Sequence, residues 1–72
     1  MNFAENLKFL RTRKKKSQTD LAAELEITRT TLSGYERNVQ PPFHVLIRIS
    51  EYFNVSLDAL ICGVLRVLVM IV

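Results

Sequence analysis

Between Ile27 and Arg37 the chain reads ITRTTLSGYER, with three threonines, a serine and two arginines around one apolar pair, Leu32 and Tyr35. Hydroxyl and guanidinium groups share a chemistry: they donate hydrogen bonds to phosphate oxygens and to the acceptor edges of bases. On a helix, Leu32 and Tyr35 point inward, which turns Arg29, Thr30, Ser33 and Gly34 largely outward. Short hydroxyls beside an arginine let such a helix lie deep in a major groove. Arg29 can then reach guanine O6 and N7 with two bonds, and Thr30 can bond a base or touch a thymine methyl. Ser33 is short enough for a base or a backbone oxygen. Gly34 lowers helix propensity by about 1 kcal/mol relative to alanine, so its presence suggests close approach to something. The plainer reading of the same residues is a polar surface helix, and only the surrounding elements decide between the two.

Those elements are helical almost throughout. Phe3, Leu7 and Leu10 form one stripe, opened by Asn2 with Glu5 three residues on, the pattern of a capping box. The basic run RTRKKK closes this first helix, where cations suit the negative end of the dipole. SQTD then offers a hydroxyl cap with an acid at its third position, and Leu21, Ala22 and Leu25 give the second helix its apolar face. Thr28 caps the third, and Asn38 suits the left-handed conformation that often ends a helix. Pro41 and Pro42 impose an extended approach to a fourth, with Phe43, Leu46, Ile47, Ile49, Ser50 and Phe53 as its buried face. After a turn at Asn54-Val55, Ser56 caps a last helix carrying Leu57, Leu60 and Ile61. The expected fold is all-α, with five short helices and no strand before residue 62.

The second and third helices are separated by so few residues that they must cross steeply, and Ala22 supplies the small face this needs. That is helix-turn-helix geometry, with the third helix projecting and one face free.

Seventy-two residues make one domain, and a chain of this size buries only about 60% of its unfolded surface, so it is marginal without reinforcement. Ten Lys and Arg against seven Asp and Glu give a net charge of +3. Six of the nine residues from Lys8 to Lys16 are basic, which is either an electrostatic footprint for phosphate or a solvated helix end. One cysteine, Cys62, cannot form an internal disulfide and points to a reducing compartment, hence a cytoplasmic, nucleoid-associated location. A single cysteine with a single histidine makes no zinc site of usual spacing, and His44 receives no role. No nucleophile–base pair or phosphate-cradling loop is visible, so neither catalysis nor a cofactor is expected.

The run SQTDLAAELEITRTTLSGYER, with LKFLRTR before it and ISEYFNVSLDALI after it, resembles the Cro/repressor-type (XRE-type) helix-turn-helix regulators over roughly residues 3–61. The resemblance implies a lambda-repressor-like domain and a double-stranded DNA operator as partner. It implies base contacts from Arg29, Thr30, Ser33 and Gly34. Phosphate contacts are implied for Gln18 and Thr28 and, along the loop after the reading helix, for Arg37 and Asn38. It also implies a structural salt bridge between Arg11 and Glu36. Four positions depart from the family pattern. Glu26 stands where the turn usually has glycine, Lys16 where the family is apolar, and Gly34 where a base-reading side chain is common. The loop YERNVQPPF is shorter than usual and lacks its glycine.

The resemblance ends before CGVLRVLVMIV, nine of whose eleven residues are apolar. A membrane-spanning helix needs about 20 apolar residues, so a bilayer anchor is not expected unless the chain continues beyond Val72. The β-branched residues favour a strand, and an apolar strand must pair with something. Either the tail folds back over the domain's own core, or two copies pair through it across a dimer axis. The second reading makes residues 1–61 the DNA-binding domain and 62–72 a dimerisation element, and it also gives a regulator its two-fold symmetry. The expected function is a homodimeric, operator-binding repressor with no small-molecule ligand. The alternative is a DNA-binding, antitoxin-like module whose tail holds a partner protein.

Overall fold

A computed structural model describes residues 2–62, in which the chain forms α1 (Phe3–Arg13), α2 (Gln18–Leu25), α3 (Arg29–Tyr35), α4 (Phe43–Phe53) and α5 (Leu57–Cys62). No strand occurs among the described residues. The segment after Cys62, for which a strand was expected, lies outside them.

The caps sit where the hydroxyl and amide residues place them. Asn2 Oδ1 accepts from the Glu5 backbone N–H at 3.0 Å, and Glu5 Oε1 accepts from that of Asn2 at 3.1 Å. Ser17 and Asp20 form the same reciprocal pair at the start of α2, and Ser56 Oγ accepts from the Ala59 N–H at 3.1 Å. Each bond satisfies a helix N–H that has no partner within the helix.

The far ends of α1, α2, α3 and α4 share one device. Lys15, Glu26, Asn38 and Asn54 all have positive φ, between 56° and 78°. In each case the next N–H closes onto a carbonyl five residues back: Lys16 to Arg11, Ile27 to Ala22, Val39 to Gly34 and Val55 to Ser50. This is the Schellman closure that glycine usually serves, here made four times without it. Asparagine tolerates the conformation, whereas lysine and glutamate carry a steric cost of about 1 kcal/mol each. Glu26 thus takes the left-handed option at the turn between α2 and α3.

The core is drawn from all five helices. Leu7, Leu21, Leu25, Leu32, Ile49 and Leu60 are fully buried, with Phe3, Leu10, Ala22, Tyr35, Val45, Leu46 and Ala59 around them. Ala22 is 2% exposed, and α2 and α3 lie against one another as a small face allows. On α4 the buried side chains are Val45, Leu46, Ile49 and Ser50. Phe43 departs from expectation, being 65% exposed. At 100° per residue it falls roughly a quarter-turn from the centre of that face, in the first turn of the helix. Ile47 and Phe53 are only half-buried.

One buried polar group had no sequence signal. Asn6 is fully buried, and its Nδ2 donates to the Leu60 carbonyl at 2.7 Å and, more weakly, to that of Ala59 at 3.4 Å. It supplies donors to carbonyls near the end of α5 and so pins that helix to α1.

Candidate nucleic-acid interface

Leu32 and Tyr35 hold α3 in the core, which fixes the rotation of its remaining faces. Arg29 and Thr30 are exposed, whereas Ser33 and Gly34 are half-covered. No acid pairs with Arg29 or Arg37 among the described residues. The reading face expected from sequence is therefore two open residues and two partly shielded ones.

Gly34 is shielded by Val39. A Cβ at Gly34 would lie 3.5 Å from Val39 Cγ2, ordinary van der Waals contact. The close approach inferred from the glycine is thus to the chain's own loop, and it leaves room for alanine. The Gly34 carbonyl accepts from both the Arg37 and Val39 N–H groups, at 2.9 and 3.0 Å. These bonds fold Arg37 and Asn38 back at the end of α3, with both side chains exposed.

A three-helix clamp holds α3 in place. Arg11 Nε donates to Glu36 Oε2 at 2.7 Å and Nη2 to Oε1 at 3.1 Å, while Nη1 donates to the Lys16 carbonyl at 2.9 Å. Gln18 Nε2 adds a bond to Glu36 Oε1 at 3.2 Å. The Glu36 side chain is 4% exposed and that of Arg11 12%, so the fork is largely out of water, where bidentate guanidinium geometry is most directional. Gln18 keeps one N–H and its carbonyl oxygen for another partner.

Thr28 Oγ1 accepts from the Thr31 N–H at 3.1 Å and bonds the Thr31 hydroxyl at 2.8 Å. Its hydroxyl is thus part of the cap before it is part of any contact. Sequence reasoning had left Thr31 aside, although the T-x-x-T spacing across the start of α3 is the signal that would have found it.

The basic run at the end of α1 divides in a way its composition does not reveal. Lys14 Nζ sits 4.5 Å from the centroid of the Tyr52 ring. Lys16 Nζ lies 3.0 Å from Glu24 Oε2, and the Tyr52 hydroxyl donates to Glu24 Oε1 at 2.9 Å. Bonds from Lys16 and then Tyr52 hold the Glu24 carboxyl below its ordinary range, and the bond to Glu24 raises Lys16. Desolvation, then the bond to Glu24, raises the Tyr52 phenol. Lys14 lies over a ring on α4 and Lys16 pairs with α2, while Lys14 stays exposed, as do Arg13 and Lys15.

Two capped helices joined by a left-handed turn, the second clamped by the first helix of the domain and free on one face, decide the family. Residues 7–60 match the helix-turn-helix family model. The chain belongs to the helix-turn-helix family. It is similar to an uncharacterised helix-turn-helix-type transcriptional regulator of Bacillus subtilis (strain 168), YqaE, with 44% identity over 62 residues, 85% of this chain and 53% of that protein. It is also similar to the helix-turn-helix-type transcriptional activator BcrR of Enterococcus faecalis, with 39% identity over 64 residues, 88% of this chain and 31% of that protein. The chain thus spans about half of the first relative and under a third of the second. As a helix-turn-helix domain of the transcriptional-regulator type, it belongs to a DNA-binding and not an enzymatic family. No described helix is long and apolar enough to cross a membrane.

Proposed function

We propose that the chain is a sequence-specific repressor that binds a two-fold-symmetric operator as a homodimer and acts by occupying it. The single observation that carries this reading is the exposure of Arg29 and Thr30 on a helix whose opposite face is buried and whose far end is clamped by Glu36. A reading helix must offer base-matched donors from a fixed position, and the open Arg29 and Thr30 together with the clamp at Glu36 support that role for α3. Arg29 selects a guanine and Thr30 reads beside it, with Ser33 and Gly34 forming the shallower part of the face. Gln18, Thr28, Arg37 and Asn38 set the register on phosphates. Cys62–Val72 supplies apolar surface for pairing, and the complex forms on the nucleoid in the cytoplasm. Repression needs nothing beyond occupancy, so it requires no further surface or ligand.

Selection of bound duplexes from a random pool at near-physiological salt tests the reading. An inverted repeat with half-sites about one helical turn apart is the expected product. A single unrepeated motif removes the homodimer from the proposal, and an unenriched pool removes sequence-specific recognition.

A further inference from the structure

Gly34 and Val39 meet in two ways. A Cβ at Gly34 would lie 3.5 Å from Val39 Cγ2 and 3.7 Å from its Cβ, and the Gly34 carbonyl accepts from the Val39 N–H at 3.0 Å. Gly34 follows Thr30 by one turn of α3 and lies about 40° round the axis from it, away from the buried Leu32 and Tyr35. Val39 therefore stands against the place where a side chain at 34 would project, at the edge of the open face. It is 56% exposed, so covering Gly34 uses only part of its surface.

The neighbours of Val39 narrow what its open side can meet. Arg37, Asn38 and Gln40 are exposed with it, and each carries donors suited to a phosphate or to the polar edge of a base. Valine carries none. Such a side chain gains nothing from a phosphate, and the one apolar substituent on the base edges of a major groove is the C5 methyl of thymine. Single apolar residues are common on protein surfaces; Val39 differs in standing at the edge of the open face of α3, among residues with polar heads.

We propose that Val39 is a specificity-determining residue, selecting thymine by packing its methyls on that C5 methyl at the base pair met by the Gly34 end of α3. The proposal rests on the reading of α3 as the base-contacting helix. The glycine is then not a lost contact. A bare backbone at 34 lets the loop close on α3, and the contact that a helix side chain would make passes to the loop. Because no charge takes part, Val39 contributes to base preference and not to the salt dependence of binding.

The test uses the 72-residue chain and a duplex selected from the random pool, with each thymine of a half-site replaced in turn by deoxyuridine, which lacks only the methyl. Competition binding is measured for the parent and for Val39→Ala. The ratio of the two duplexes is read within one protein, so a loss of folded chain does not alter it. One replacement should weaken the parent by about fourfold per half-site, the equivalent of burying one methyl. Val39→Ala should bind the thymine and uracil duplexes alike at that position and keep the parent's salt slope. Methyl effects that are the same in both proteins overturn the proposal and leave Val39 as a cover over Gly34. A selected motif with no methyl-sensitive position overturns it too. Both results leave the reading of α3 standing, whereas an unenriched pool removes that reading and this proposal together.

Discussion

Arg11 and Glu36, twenty-five residues apart in sequence, form a two-bond fork at 2.7 and 3.1 Å that ties the first helix to the end of the reading helix. Gln18 bonds the same carboxylate, so α1, α2 and the end of α3 meet at one group. Removing Arg11 strands a nearly buried carboxylate, and breaking a buried pair in this way costs about 3–5 kcal/mol. Arg11→Met should therefore lower the urea midpoint sharply. The double variant Arg11→Met/Glu36→Leu should recover part of the loss, because no charge is then left uncompensated. Arg11→Lys should fail to restore the parent stability, since an ammonium cannot make the fork and also reach the Lys16 carbonyl.

Arg29 and Arg37 separate reading from holding. Both are exposed, but only Arg29 lies on the free face of α3. Arg29→Ala should erase the preference at one position of each half-site, a discrimination of about 1–3 kcal/mol, and leave the other positions alone. Arg37→Ala should weaken binding to every duplex alike and reduce the salt slope by about 0.9. Competition binding against single-base variants of the selected duplex at two salt concentrations measures both. An unchanged base preference for Arg29→Ala means that the reading face has been misassigned.

Much of this was legible in the sequence because it is local. Caps lie three residues apart, and a helix-turn-helix is two apolar faces with a short turn between them, so Asn2, Ser17, Thr28 and Ser56 could be placed by spacing alone. The Arg11–Glu36 pair was legible only through family resemblance, because no local rule joins residues on α1 and α3. Phe43 was misplaced because periodicity places a residue at an angle and does not reveal whether another helix covers that angle at a helix end. Asn6, and the engagement of Lys14 and Lys16 with Tyr52 and Glu24, depend wholly on tertiary packing. Composition shows a basic run; only the fold shows which of its members are already engaged.

Glu26 and Lys15 hold left-handed conformations at φ 61° and 59° with exposed side chains. Glycine removes the clash but restores freedom to the unfolded chain, which takes back about 0.5–1 kcal/mol. Glu26→Gly and Lys15→Gly should each still stabilise the domain, by up to about 0.5 kcal/mol. In a domain this small, that is a rise of a few degrees in Tm. Because the sites are separate, the two gains should add. A fall in Tm for Glu26→Gly would mean that its side chain holds the turn by some other interaction.

The Lys16–Glu24–Tyr52 cluster should add a small pH dependence to stability while leaving DNA binding unaffected. Glu24 is lowered in the folded state, chiefly by its bond from Lys16, so its contribution is present above the ordinary carboxylate range and lost as pH falls through it. Lys16 is raised by the same bond, so its contribution is complete below the ordinary lysine range and lost as pH rises past it. Tyr52, raised by desolvation and by Glu24, favours the protonated phenol in the fold, so stability also declines as pH rises through the ordinary phenol range. Glu24→Gln should therefore flatten the acid limb of a stability–pH profile and soften the alkaline decline as well, because Lys16 and Tyr52 lose the partner that raises them. The effect is small, since both members of the ion pair are well exposed to solvent. With Lys16 directed at Glu24, Lys16→Gln should leave the salt slope of DNA binding where it was, in contrast to Arg37→Ala. A slope reduced as much by Lys16→Gln as by Arg37→Ala would show that Lys16 leaves Glu24 for a phosphate when DNA is bound, and the whole basic run would then have to be counted in the interface.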